Sequence, residues 1–303
     1  MQNIKQLLTI HKTTVILIAA FILFGSLGYL GFQKISSKET GSVEEVDLPF
    51  DAEGPYATLF PRRDGNGLVL NIKRTNSYDS ISYDLAYTSK ADETKVTGTK
   101  IFDEGEGTSK GGSIDRGVSG TIDTKEKKGE YEQEILFGTC SKNVCKYDKG
   151  VENGTLTLHI TRPSFGGKTG KRAYRMITEW HLQKSDVALG SLTSGDGHLV
   201  YKVEADRTVL SNIGFSIIND LTGVPKLPSG KMVSGKVYSL NVPIAKELPG
   251  GNVSLELAEN PGSDAKLYIY DRQWKELDTK IDGSKFQGSA SGAGIFAVLI
   301  PKK

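Results

Sequence analysis

Apolar and polar residues alternate along much of the chain, and this period of two predicts β-strands. The alternation is regular in five runs, at 68–72, 81–87, 156–160, 174–182 and 253–257. A strand places successive side chains on opposite faces of a sheet, so each run predicts a strand with one buried and one exposed face. Helix signals do not recur in the same way, which favours an all-β fold.

Clusters of turn-forming residues separate the alternating runs. They lie at 64–67, 194–197, 249–252 and 260–263, and Gly accounts for 35 of the 303 residues. Short strands joined by such turns are typical of antiparallel sandwiches and barrels. The last run, 295–300, is apolar at successive positions and predicts a strand that is covered on both faces.

A change in composition at 184–197 predicts a boundary between two domains. The expected domains are β-sandwiches at 51–185 and 190–303. Two Gly-rich polar stretches, 103–120 and 163–172, predict long exposed loops on the first domain.

The chain begins with a segment that predicts a membrane anchor. Residues 15–32 carry no charge and are almost entirely apolar, and as a helix they would span about 27 Å, close to the thickness of a bilayer. We expect residues 1–12 in the cytoplasm, a transmembrane helix at 13–32 and a polar spacer at 33–50. A cleavable signal peptide is the alternative, but no cleavage site of small residues follows the apolar run.

The charge of the remaining chain gives no reason to expect nucleic acid as a partner. The sequence contains 38 basic and 36 acidic residues, and two of the lysines, Lys5 and Lys12, precede the apolar run. Without those two lysines the numbers are equal, so the expected ectodomain is formally neutral. A neutral domain lacks the electrostatic attraction on which most nucleic-acid binding depends.

Cys140 and Cys145 are the only cysteines, and their spacing fits a hairpin. Two short strands around a four-residue loop would bring the two side chains within disulfide distance. Free thiols are an alternative, and a redox or metal site is less favoured, because the C-x-x-C spacing and further nearby ligands are absent. A disulfide would place residues 33–303 outside the cytoplasm at the cell membrane, where conditions are oxidising.

No motif identifies an enzyme, a cofactor site or a metal site. The stretch 168–171 resembles a phosphate-binding loop only superficially, because Phe165 occupies the position of a required Gly. No nucleophile elbow of the Gly-x-Ser-x-Gly type occurs. His159 and His181 fall on the polar faces of predicted strands, which favours solvated positions over metal ligation. We therefore predict no catalytic, cofactor-binding or metal-binding residues.

Several weaker signals leave alternatives open. The acidic turns at 64–67 and 103–106 could offer oxygens to calcium, although inter-strand turns use the same residues. Asn153 and Asn252 lie in glycosylation patterns, which matter only in a host that glycosylates. Three aromatic residues could form a platform for a sugar or could pack in a hairpin or core: Tyr268, Tyr270 and Trp274.

The two predicted loops supply the candidate contacts to a partner. Phe165 is the strongest, because an exposed aromatic beside Gly can bury apolar area on a partner. The alternative is that both loops are mobile and have no binding role. The candidates on the first loop are Lys110, Asp115 and Arg116, and those on the second are Phe165, Lys168 and Lys171.

The tail resembles a closing module of bacterial cell-surface β-sandwiches. It combines a hydrophobic strand at 267–270, the start of a second strand at 274–277 and a Gly-rich turn that leads into a final strand at 294–299. The whole ectodomain is similar in pattern to tandem immunoglobulin-like or fibronectin-type-III-like modules. The resemblance implies a non-enzymatic, anchored envelope protein for adhesion, scaffolding or partner binding. A carbohydrate-binding or carbohydrate-processing module is the alternative.

Overall fold

The computed structural model describes most of the chain after residue 44. The described residues are 45–90, 112–126, 128–142, 144–162, 172–183, 190–203 and 215–302. They contain strands, turns and bends but no helix, which confirms the all-β prediction. The described residues therefore contain no helix that could cross a membrane. The predicted span at 13–32 lies outside them.

A ten-stranded sheet forms the centre of the structure. Its path runs β17-β16-β20-β14-β13-β10-β9-β4-β5, and β1 pairs separately with β10. The strands are β1 Glu45–Asp47, β4 Ser80–Lys90, β5 Ser113–Ile122, β9 Asn153–Arg162, β10 Arg172–Gln183, β13 Phe215–Ile218, β14 Lys231–Asn241, β16 Lys266–Asp271, β17 Gln273–Glu276 and β20 Gly294–Pro301. All of its pairs are antiparallel except that between β1 and β10.

Three smaller antiparallel sheets accompany the central one. The five-stranded sheet, in the order β11-β12-β15-β19-β18, consists of β11 Ser191–Thr193, β12 Leu199–Val203, β15 Gly251–Glu256, β18 Lys280–Asp282 and β19 Lys285–Ala290. The three-stranded sheet consists of β2 Tyr56–Pro61, β3 Gly67–Lys73 and β6 Glu130–Leu136. The hairpin consists of β7 Gly138–Ser141 and β8 Val144–Tyr147.

The central sheet is covered on both faces where β13, β14, β16 and β20 lie. Along β20, Ile295 and Ala297 pack in the core that also holds the three-stranded sheet. Phe296 and Val298, between and after them, pack in the core that holds the five-stranded sheet. Because successive strand residues point to opposite faces, the two cores lie on opposite sides of the central sheet. The continuous apolar run at 295–300 is explained by this double burial.

The other half of the central sheet is covered on one face only. On β4, Ile81, Leu85 and Tyr87 are buried, whereas Asp84 and Ala86 between them are exposed. This clean alternation reflects a sheet that packs on one side and meets solvent on the other. The solvent face of β4, β5, β9 and β10 is the surface on which the groove described below is found.

The predicted domains share this central sheet. Residues Glu45–Lys303 form one compact unit. Strand β10, from the expected domain 51–185, pairs directly with β13, from the expected domain 190–303, and Trp180 lies opposite Ile218 in that pair.

Two stretches differ from the sequence interpretation. Residues 113–120, expected in the loop 103–120, belong to β5, which pairs with β4 along its whole length. Residues 45–47, expected in the polar spacer, form β1 on β10. In both cases partners distant in sequence supply the pairing, which local polarity alone does not reveal.

The cysteine prediction is confirmed. Cys140 and Cys145 are bonded to each other and lie directly opposite in the hairpin of β7 and β8. Lys142, in the turn between these strands, has a positive φ of 47°. The left-handed turn brings the two strands back on each other so tightly that the cysteine pair faces across them.

Candidate functional site

A groove crosses the solvent face of the central sheet, next to the first strand of the five-stranded sheet. Its volume is about 400 Å³. It spans four neighbouring strands, β5, β4, β9 and β10, and ends at the turn that follows β11. The lining residues are Ala86, Tyr87, Thr88, Asp115, Arg116, Asn153, Gly154, Thr155, Glu179, Trp180, Gly195 and Asn219.

Strand register aligns the outward-facing members of this set. Ala86 lies opposite Thr155, and Thr155 lies opposite Glu179, so these three form a row across β4, β9 and β10. Thr88 lies opposite Asp115 in the next row. Ala86 and Thr88 are two residues apart on β4, so their side chains lie on one face of the sheet. The register partners of these two residues lie on the same face. The groove is therefore shallow and polar, with the small side chain of Ala86 in its middle.

The floor of the groove rests on a rigid aromatic layer. Trp180 is buried beneath Gly154, and a side chain at position 154 would collide with the Trp180 ring and with the Ala86 carbonyl. On its other side the Trp180 ring stacks on Phe137, with centroids 5.8 Å apart. Glycine is thus required at 154 for β4, β9 and the tryptophan to approach so closely.

Asn219 closes one end of the groove with an acceptor that has no partner. Its backbone N–H donates to the Glu179 carbonyl oxygen at 3.1 Å, which fixes its position beside β10. The residue is only 5% exposed, and its Oδ1 has no hydrogen-bond partner within the described part of the chain. A buried acceptor in that condition costs about 1–3 kcal/mol.

The charges around the groove leave it rich in acceptors. Glu179 is exposed on its floor, and Asp115 accepts a hydrogen bond from the Thr88 hydroxyl at 3.2 Å. Arg116 is the one cation among the lining residues, against the two carboxylates, and its Nε lies 3.6 Å from Asp148. The groove therefore presents carboxylate oxygens more readily than cationic donors.

The network below Arg116 is held by a buried tyrosine. The Tyr87 hydroxyl donates to Asp148 at 2.8 Å and accepts a hydrogen bond from the Gly138 backbone N–H at 3.1 Å. Burial, together with the hydrogen bond to Asp148, raises the pKa of Tyr87 to about 12. Tyr87 therefore stays protonated and keeps Asp148 oriented toward Arg116.

One wall of the groove carries a neutral amide-imidazole pair. His181 Nδ1 lies 2.6 Å from Asn153 Oδ1. Burial lowers the pKa of His181, so the ring is neutral at pH 7 and donates its Nδ1 proton to Asn153. The amide nitrogen of Asn153 is left to act as a donor on this wall.

The structure brings two of the six candidate contacts to this groove. Asp115 and Arg116 line it, although they do so from strand β5 and not from a loop. The remaining candidates lie outside the described residues and are Lys110, Phe165, Lys168 and Lys171. Sequence reasoning missed Thr155, Glu179 and Asn219, because nothing local marks a polar strand residue as part of a groove.

The three aromatic residues that the sequence analysis named as a candidate sugar platform pack against the fold. Tyr270 and Trp274 lie opposite each other in the hairpin of β16 and β17, with ring centroids 5.4 Å apart. Tyr268 is 5% exposed, so the three aromatic residues do not form an open platform. Among the described residues, no group of three or more His, Cys, Asp or Glu side chains could hold a metal ion.

A second concave surface lies on the outer face of the five-stranded sheet. It has a volume of about 640 Å³ and includes Lys202, Lys280 and Lys285 beside Asp278. Its charge is opposite in sign to that of the groove, so the two surfaces would select different ligands.

Comparison with protein-family models and with curated proteins finds no match for this chain. The interpretation of the groove therefore rests on its geometry and chemistry.

Proposed function

We propose that this chain is a non-enzymatic, membrane-anchored protein of the cell envelope that binds a surface partner in the groove. The observation that carries the proposal is the polar groove of about 400 Å³ on the solvent face of the central sheet, where the exposed side chains of Asp115 and Glu179 lie at opposite ends of four strands.

Two features support the proposed location, an apolar segment in the sequence and a disulfide in the structure. The apolar segment 13–32 has the length of a membrane span and would anchor residues 33–303. The Cys140–Cys145 disulfide is partly exposed, and exposed disulfides persist in oxidising compartments outside the cytoplasm. The sheets of residues 45–303 form one compact unit, which supports a folded module that presents the groove on its surface.

Protease protection tests this topology. Protease added to intact cells stripped of their wall should digest residues 33–303 and leave the anchor segment in the membrane. Complete protection of the chain until the membrane is lysed would contradict the proposal. A cytoplasmic protein of the same cells is the control for membrane integrity.

A matched pair of lysine substitutions tests the groove. Thr155→Lys places a long side chain in the groove, whereas Thr157→Lys places the same side chain two residues further along the same face of β9, outside the lining set. We expect the full-length chain to bind isolated envelope material, and only Thr155→Lys to abolish that binding. Equal binding by both variants would remove the groove from the proposal.

A further inference from the structure

We propose that strand β5 pairs edge to edge with the β5 strand of a second copy of this chain, so that the two central sheets become one continuous sheet. The inference goes beyond the proposed function, because the pairing does not depend on what the groove binds. Three observations carry it: the free edge of β5, the partly uncovered inner face of β5 and the fit of its sequence to itself.

Strand β5 forms one end of the central sheet. It pairs with β4 over ten consecutive positions, from Ile122 opposite Ile81 to Ser113 opposite Lys90, and no described strand pairs with its other side. The strand at the opposite end of the sheet, β17, has only four residues. Proteins commonly protect sheet edges with short strands, proline, lysine or bulges. Strand β5 has ten residues without proline or lysine, and its register with β4 is unbroken.

Alternate residues of β5 direct their backbone groups toward the free edge. The Lys90 N–H donates to the Lys149 carbonyl oxygen, and the Ala86 carbonyl oxygen lies beside Gly154 on β9, so the even-numbered residues of β4 direct their backbone groups away from β5. In an antiparallel ladder, opposed residues either bond each other or both point outward. The residues of β5 opposite these positions therefore offer N–H and C=O groups that form no backbone hydrogen bond within the described part of the chain: Ser113, Asp115, Gly117, Ser119 and Thr121.

The inner face of β5, which points toward the core, is only partly covered. Ile114 lies opposite the buried Ser89 and Val118 lies opposite the buried Leu85, so both point to this face. Even so, Ile114 is 39% exposed and Val118 is only half-buried. A further strand at this edge would remove apolar surface of both residues from water, which is favourable.

The sequence of β5 selects one register for pairing with itself. A two-fold axis perpendicular to the sheet makes the two strands antiparallel and keeps both solvent faces on one side. A pairing centred on Asp115 or Arg116 would place like charges opposite each other, which is unfavourable. Centred on Val118, the pairing places Val118 opposite Val118 of the second copy and Ile114 opposite Ile122 of the second copy. Apolar residues then meet apolar residues on the inner face.

The other positions fit the same register. Arg116 lies opposite Gly120 of the second copy, which has no side chain to collide with the guanidinium. Asp115 lies opposite Thr121 of the second copy on the solvent face. The outward-facing residues from Asp115 to Thr121 form four pairs with two hydrogen bonds each, about eight in all. Because Asp115 lines the groove, Thr121 of the second copy adds a hydroxyl at that end of it.

Cysteine cross-linking of the full-length chain tests the register. Val118 would face its counterpart in a pair without mutual hydrogen bonds, where Cα atoms lie about 4.5 Å apart, so Val118→Cys should form an intermolecular disulfide under mild oxidation. Gly117→Cys and Ser119→Cys would lie opposite other residues and should cross-link about tenfold more slowly or less. Gly117 and Ser119 are more exposed than Val118, so random collision would give the reverse order. The native cysteines are bonded to each other and do not interfere.

A proline at the free edge tests the backbone pairing. The N–H of Ser119 faces this edge, so Ser119→Pro removes a donor from the interface and none from the ladder with β4. Sedimentation velocity of the full-length chain in detergent micelles should show an equilibrium between monomer and dimer at micromolar concentration. Ser119→Pro should weaken the dimer about tenfold or more, whereas the matched control Ser119→Ala should leave it unchanged. Thermal unfolding checks that both variants fold.

Several results would overturn the inference. One is a chain that stays monomeric at every concentration, and others are a dimer that Ser119→Pro does not weaken and equal cross-linking at positions 117, 118 and 119. If the chain alone is monomeric but Ser119→Pro abolishes its binding to envelope material, the edge receives a strand of another protein and not a second copy. Thr155→Lys separates this interface from the groove, because it should abolish binding of envelope material and leave the dimer unchanged.

Discussion

The imidazole of His159 connects the first strand of the structure to the central sheet: its Nδ1 lies 2.7 Å from Glu45 Oε1. Its Nε2 lies 2.9 Å from Asp84 Oδ2, so the ring is held between two carboxylates. A second ion pair, between Arg175 and Asp47 at 2.7 Å, fastens the same strand. These contacts explain why the short strand Glu45–Asp47 pairs with β10 and does not remain in a spacer.

The attachment of β1 should weaken as the pH rises. Partial burial lowers the pKa of His159, but the hydrogen bonds to Glu45 and Asp84 outweigh it and the net pKa is raised. The stabilisation is therefore complete below the unfolded pKa of about 6.5 and is lost as the pH rises through the higher folded pKa. Hydrogen exchange of the Leu48 amide, which donates to Arg175, should show this loss after correction for intrinsic rates.

The control for this prediction is His159→Gln, which cannot become charged. The variant should show faster exchange than the native chain at pH 5.5 and similar exchange at pH 9. The difference should be small, below about 1 kcal/mol, because the pair is partly exposed. A native profile that is flat with pH would contradict the role of His159.

Two strand glycines should respond oppositely to alanine. A side chain at Gly154 would meet the Trp180 ring and the Ala86 carbonyl, whereas one at Gly117 would find its nearest atom, the Leu85 carbonyl oxygen, at 3.9 Å. We expect Gly154→Ala to lower the free energy of unfolding by about 1–3 kcal/mol, as overpacking does. Gly117→Ala should be neutral or stabilising by up to about 1 kcal/mol. Urea unfolding measures both, and equal effects would show that β9 can move away from Trp180.

Removing the disulfide should destabilise the chain only modestly. The bond closes a small ring in a partly exposed hairpin, so it restricts few unfolded conformations. The double variant Cys140→Ser, Cys145→Ser should lose about 2 kcal/mol or less and still fold, since the two buried cores lie elsewhere. Near-ultraviolet circular dichroism and urea unfolding check this, and loss of the folded signal in buffer would count against it.

Local patterns predicted the strands whose two faces differ. The runs at 81–87 and 156–160 alternate because one face packs on the core, and they became β4 and β9. Strand β5 was taken for a loop, since most of its residues are exposed on both faces and leave no apolar period to read. The hairpin of Cys140 and Cys145 was predictable because its pairing is local.

The groove could not be predicted, because it depends on which strands become neighbours. Thr155 lies between Ala86 and Glu179 only through pairings that span about 70 and 24 positions of sequence. Asn219 joins them because it directly follows β13, which pairs with β10 up to Ile218, and its own backbone N–H donates to the Glu179 carbonyl oxygen. Polar residues at these positions read as ordinary solvent-facing strand residues until the register is known.

The carboxylate of Asp196 should stabilise the junction between the five-stranded sheet and the central sheet. It lies in the turn after β11 and accepts hydrogen bonds from the Ser194 hydroxyl at 2.7 Å and the Tyr238 hydroxyl at 2.9 Å. The His198 backbone N–H donates to it at 3.2 Å, and Lys236 lies 3.5 Å away. The sequence marks this stretch only as a turn, so its link to β14 is a product of the fold.

Replacing Asp196 should therefore cost more than replacing an exposed aspartate, and the cost should depend on pH. Burial raises the pKa of Asp196, but the hydrogen bonds from Ser194 and Tyr238 outweigh it and the net pKa is lowered. The stabilisation is then present above the unfolded pKa of about 3.9 and disappears as the pH falls through the lower folded pKa. Asp196→Ala should lose about 2 kcal/mol at pH 7, the usual contribution of hydrogen bonds to a charged group, and much less near pH 2. Urea unfolding at both pH values measures this, with the exposed Asp264→Ala as the matched control. An equal loss for the two variants at pH 7 would mean that the Asp196 network does not hold the junction.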